Sequence, residues 1–123
     1  MYKKVLIVDD IDFILEFERK MIETLSEELS VQIDIDSANS VKEALSKISE
    51  NTYDAVVIDM HLPDGSGITI AKVAREKNED THTAALTIAS DNFEEDNKYF
   101  DALLKKPITP NTYKKTLSKL LYL

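Results

Sequence analysis

The sequence predicts an α/β fold of the open, doubly wound kind, with five short strands alternating with helices that cover both faces of a parallel sheet. Three observations lead there. The run Ala55 to Ile58 is apolar on both faces and too short for a helix, as expected of a central parallel strand. Between such runs the apolar spacing changes to three and four residues, the period of an amphipathic helix. The 123 residues contain no repeat, low-complexity stretch or linker, so they form one domain.

The elements follow in order. Lys4 to Asp9 reads as strand one, and from Ile11 the spacing Phe13, Phe17, Met21, Leu25 reads as helix one. Val31, Ile33 and Ile35 alternate with Gln32, Asp34 and Asp36, which describes an edge strand with one face in water. Ser40 and Glu43 form an S-x-x-E capping box ahead of helix two. Strand three ends on Asp59, and a loop with Pro63, Gly65 and Gly67 leads into helix three, marked by Ile68, Ala71 and Ala74. Ala84 to Ala89 reads as strand four, Phe93 to Phe100 as a short helical stretch, and Ala102 to Leu104 as strand five. A last helix carries Tyr113, Leu117, Leu120 and Leu121.

Composition removes several classes of function. A net charge of −8 argues against binding a phosphate backbone, which needs clustered Lys and Arg. Cysteine is absent, so there are no disulfides and no thiol chemistry. No apolar run approaches about 18 residues and no secretory leader is visible, so a cytoplasmic protein without membrane insertion is expected.

In such a fold the ligand site lies beyond the carboxyl ends of the strands. Asp9 and Asp10 end strand one, Asp59 ends strand three, Thr87 lies late in strand four and Lys106 follows strand five, so all five converge on one edge. Three carboxylates brought together need a cation, and an all-oxygen set selects a hard ion such as Mg2+. Mg2+ keeps few protein ligands and bridges to phosphoryl oxygens, to which Lys106 offers a positive charge and Thr87 a hydroxyl. Asp59, nearest the middle of the sheet, is then the candidate nucleophile for an aspartyl phosphate. Singly, Asp9, Asp10 and Asp12 also suit the N-terminus of helix one, and Asp59 or Lys105 and Lys106 suit solvated loops. Their joint placement favours the site.

The ordered set "LIVDD", "DMHLPDGSG", "AALT" and "DALLKKPI" resembles the receiver domain of two-component response regulators over essentially the whole length. The resemblance implies a flavodoxin-like (βα)5 sandwich of strand order 2-1-3-4-5, forming a single receiver domain over residues 1–123 with no output domain in this chain. It also implies a phosphorylation switch rather than a turnover enzyme. Asp59 would accept phosphate from a histidine kinase or histidine phosphotransfer protein, and Asp9, Asp10, Asp59 and the backbone carbonyl of His61 would hold Mg2+. Lys106 would contact the phosphate across a cis bond to Pro107, and the output would pass to a separate protein target.

Two departures from the family pattern stand out. Leu103 occupies a position that is often Tyr or Phe, which removes an aromatic switch. Aligned on Thr87, the segment up to Lys106 is about three residues short, roughly one helical turn. Ser90 is the alternative switch hydroxyl, at the expense of twice that deletion. Rival readings fit less well. A haloacid-dehalogenase-like phosphatase needs D-x-D-x-[TV] after its first strand, whereas the only D-x-D on a strand is Asp34 to Asp36, followed by Ala38. A flavodoxin-like cofactor binder would set Asp9 and Asp10 against the FMN phosphate. A degenerate receiver that only docks would not need the intact acids and lysine.

Overall fold

A computed structural model describes residues 1–88 and 97–123. Its strands and helices run β1 (Tyr2–Val8), α1 (Asp12–Leu29), β2 (Gln32–Ala38), α2 (Val41–Glu50) and β3 (Ala55–Asp59). A two-stranded ribbon of β4 (His61–Leu62) and β5 (Gly65–Ser66) leads into α3 (Gly67–Lys77), followed by β6 (His82–Thr87), β7 (Ala102–Lys105) and α4 (Pro110–Leu120). The main sheet is wholly parallel with order β2-β1-β3-β6-β7, which is the expected 2-1-3-4-5 once the ribbon is set aside.

Alternation along the strands separates two cores. Leu6, Val8, Val56, Ile58 and Ala85 face one layer with Ala44 and Ile48 of α2 and Ile70, Ala71 and Ala74 of α3. Val5, Ile7, Val57, Ala84 and Leu86 face the other, with Ile22 and Leu25 of α1 and Tyr113 and Leu117 of α4. β3 is buried at every position because it lies mid-sheet with helices on both sides. The amphipathic β2 takes the edge, paired among the described residues only to β1. Half of the expected capping box forms: the Glu43 amide donates to Ser40 Oγ at 3.1 Å, whereas Glu43 Oε1 accepts the amide of Asn39, one residue before the cap, at 3.2 Å.

Strand four differs from the expected Ala84 to Ala89. It begins at His82, registered against Ala55 through the His82 amide on the Asp54 carbonyl at 3.0 Å, and ends at Thr87. Polar Thr83 hides this start: it is fully buried because its hydroxyl donates to the Tyr99 carbonyl at 2.6 Å. Ala89 and the first half of the expected helical stretch Phe93 to Phe100 lie outside the described residues, and the second half holds a 3-10 turn at Asn97–Tyr99. Ser90 also lies outside them.

Glu18 was not legible as a core residue. It is fully buried on α1, where its Oε1 accepts the Tyr113 hydroxyl at 2.9 Å and its Oε2 has no partner among the described residues. Burial pushes its carboxyl well above the ordinary carboxylate range.

Candidate functional site

Parallel register brings the strand ends together. Val8 pairs with Ile58, Asp59 with Leu86 and Thr87 with Lys105, so the residues that follow β1, β3, β6 and β7 open on one edge of the sheet. Asp9 follows β1 directly, fully buried, with its amide on the Ala38 carbonyl at 3.1 Å. Asp59 closes β3 at 3% exposure, and Asp10 lies open to solvent. One oxygen from each of Asp9, Asp10 and Asp59 lies within 4.8 Å of the others, the only such acidic group among the described residues.

Lys106 answers this charge. Its Nζ stands 3.6 Å from Asp59 Oδ1 and 3.8 Å from Asp9 Oδ2, and its amide is fixed to the Thr87 carbonyl at 2.8 Å. The Lys106–Pro107 bond is cis, as the resemblance implied. Thr87, 2% exposed, ends β6 on the same edge. His61 is exposed on the ribbon, and its amide donates to Asp59 Oδ1 at 3.1 Å.

The electrostatics leave room for a cation. Burial raises the Asp9 carboxyl above its usual value, the Ile11 amide on Oδ1 at 3.0 Å opposes this, Asp59 adds to it, Lys106 opposes it and Asp10 adds a little more. Among the described residues Asp9 Oδ2 is buried without a hydrogen-bond partner, and a hard cation held by the three carboxylates would satisfy it. Helix capping does not explain these acids. The N-cap of α1 is Ile11, without a side-chain cap, and Asp12 lies in the first turn.

Two loop residues contribute beyond the sequence reading. A Cβ at Gly67 would stand 2.6 Å from the Asp59 carbonyl oxygen and 2.7 Å from Ile58 Cγ2, so only glycine lets α3 start this close to β3. Asp64 accepts the amides of Val41 and Lys42 across the loop. Its sequence signal, an Asp between Pro63 and Gly65, marks only a turn.

Fold and site together define a doubly wound domain with an acidic cluster beside Lys106 at its carboxyl edge. The family model for the response regulator receiver domain matches residues 5–118, and the chain belongs to that family. It is 31% identical over 94% of its length to the hybrid signal transduction histidine kinase L of Dictyostelium discoideum, of which it spans 7%. A Francisella response regulator receiver domain superposes with a TM-score of 0.81 at 30% identity, covering 98% of this chain and 97% of that one. The response regulator TrrA from Thermotoga maritima, in complex with Mg2+-BeF, does so with 0.77 at 30%, covering 97% and 99%. Receiver domains are the phosphorylation switches of two-component systems and act with histidine kinases or phosphotransfer proteins. They are regulatory rather than turnover enzymes. Among the described residues no helix is long and apolar enough to cross a membrane.

Proposed function

We propose that residues 1–123 act as one receiver domain in which Asp59 accepts a phosphoryl group from a histidine kinase or phosphotransfer protein in the cytoplasm, with Mg2+ as the cofactor. The observation that carries this is the three-acid cluster paired to Lys106 Nζ at 3.6 and 3.8 Å. Asp9, Asp10, Asp59 and the His61 carbonyl would hold Mg2+, which when bound offsets the charge of the transferring phosphoryl oxygens. The Asp59 carboxylate attacks phosphorus, the donor's P–N bond breaks, and its electron pair stays on the imidazole nitrogen, which takes up a proton. Lys106 supplies a point positive charge to the new oxygens and Thr87 its hydroxyl. The chain thereby promotes its own phosphorylation and dephosphorylation without turning over a separate substrate. The added charge biases the surface near β6 and β7 between two arrangements read by a downstream protein. The −8 charge supports a protein target over nucleic acid.

Intact mass after incubation with Mg2+ and acetyl phosphate tests the reading. One added phosphoryl group is expected, lost when Mg2+ is chelated. Labelling that ignores chelation would sink the Mg2+ assignment. In the same assay Asp10→Ala should need a higher Mg2+ concentration, because the site loses a charge and a ligand.

Thr87 has a separate role, since the attack needs no hydroxyl. Leu103 on β7 is 39% exposed and has no ring to rotate inward. Thr87→Ala should therefore still be labelled but respond weakly. With beryllofluoride as the phosphoryl mimic, amide shifts near Ile88 and Lys106 should shrink in Thr87→Ala and persist in Ser90→Ala. The reverse pattern would move the switch hydroxyl to Ser90.

A further inference from the structure

We propose that Asp64 is a positioning residue for phosphoryl transfer: seated on the opening amides of α2, its carboxylate holds the 60–67 loop where the metal's backbone ligand, His61, must stand. The inference rests on the assignment of Asp9, Asp10, Asp59 and His61 above.

A helix leaves its first amides without intrahelical partners. In α2 the Glu43 amide is taken by Ser40 Oγ at 3.1 Å and the Ala44 amide by the Ser40 carbonyl at 3.0 Å, both within the helix's own segment. The Val41 and Lys42 amides instead donate to Asp64, at 2.8 Å to Oδ1 and 3.0 Å to Oδ2. One oxygen per amide fixes the orientation of the carboxylate as well as its position. These two amides, Lys42 first, hold the Asp64 carboxyl below its ordinary value, so the tether is in its charged form at neutral pH.

The other end of the loop is anchored at the acceptor. Asp59 Oδ1 takes the His61 amide at 3.1 Å, and the Gly67 amide donates to the Met60 carbonyl at 3.2 Å. Between these anchors runs the two-rung ribbon His61↔Ser66 and Leu62↔Gly65. Gly65 turns at φ 154°, with Val41 Cγ2 3.4 Å from where its Cβ would be, so the ribbon packs on the same helix start that Asp64 grips. Mg2+ demands near-ideal ligand geometry, and partners that orient a ligand commonly carry a tenfold or larger share of metal affinity.

The test compares two ways of uncapping α2. Asp64→Ala removes the tether, Asp64→Asn keeps one acceptor oxygen, and Ser40→Ala removes the helix's own cap but leaves the tether. Thermal melts establish a temperature at which all are folded. Calorimetric titration with Mg2+ and amide NMR of His61 and Leu62 then read the loop. Asp64→Ala should weaken Mg2+ binding roughly tenfold, Asp64→Asn by less, and Ser40→Ala hardly at all. The His61 and Leu62 amides should shift in Asp64→Ala even before Mg2+ is added. A wild type that binds Mg2+ while Asp64→Ala binds within about twofold of it would overturn the role, as would equal weakening in Ser40→Ala. A wild type that binds no Mg2+ would instead overturn the functional reading, and the metal-free amide shifts would still decide whether Asp64 holds the loop.

Discussion

Asp59→Asn is expected to take up no phosphoryl group from acetyl phosphate or a histidine kinase, while its metal-free form becomes more stable than the wild type. The first effect follows from chemistry, because an amide oxygen lacks the negative charge that attacks phosphorus. The second follows from geometry. Among the described residues Asp59 has two like-charged neighbours, with oxygens within 4.8 Å, and one opposite charge, Lys106 Nζ at 3.6 Å. Removing its charge deletes two repulsions and one attraction in a buried setting, a net gain on the order of 1 kcal/mol. Mg2+ should then stabilise the variant less than the wild type, since one ligand charge is gone. Urea melts with and without Mg2+, beside intact mass, check both effects. Equal labelling of the variant would remove Asp59 as the acceptor, and a lower metal-free stability would mean that its pairing with Lys106 outweighs the repulsion.

Tyr113→Phe is expected to destabilise the fold by about 1–3 kcal/mol, because it strips from the buried Glu18 carboxyl the only donor it has among the described residues. Glu18→Leu combined with Tyr113→Phe should recover that loss or exceed it, since an apolar pair leaves nothing unsatisfied. The pH dependence carries a definite sign. Burial raises the folded pKa of Glu18 well above its ordinary 4.5, so the folded state binds the proton more tightly than the unfolded chain. The stability linked to that proton is fully present below about pH 4.5 and is lost as pH rises through the folded value. Glu18→Gln cannot ionise, so the wild type should lose stability relative to it on going from acid to neutral pH. Asp9, raised by its own burial, adds the same sign in both proteins. Urea midpoints for the pair at several pH values measure it, and parallel curves would mean that Glu18 does not titrate with folding.

Local order in the chain determined the strand and helix alternation, the Ser40 cap of α2, the edge character of β2 and the strand-end placement of Asp9, Asp10, Asp59, Thr87 and Lys106. Each of these depends on side-chain periods of 2 or 3.6 residues, or on neighbours a few positions apart, and such signals are printed along the sequence itself. Tertiary structure alone decided which acid of the pair is buried, since Asp9 turns under Lys106 and Asp10 into solvent. It also set the start of β6 at His82, because Thr83 looks like a loop residue until Tyr99 supplies its acceptor. Glu18 and Tyr113 are 95 residues apart, and Asp64 lies 23 from Val41. Both pairs exist only once the helices have packed against the sheet, for a hydrogen bond requires two atoms about 3 Å apart in space, and no period or composition along the chain encodes that distance.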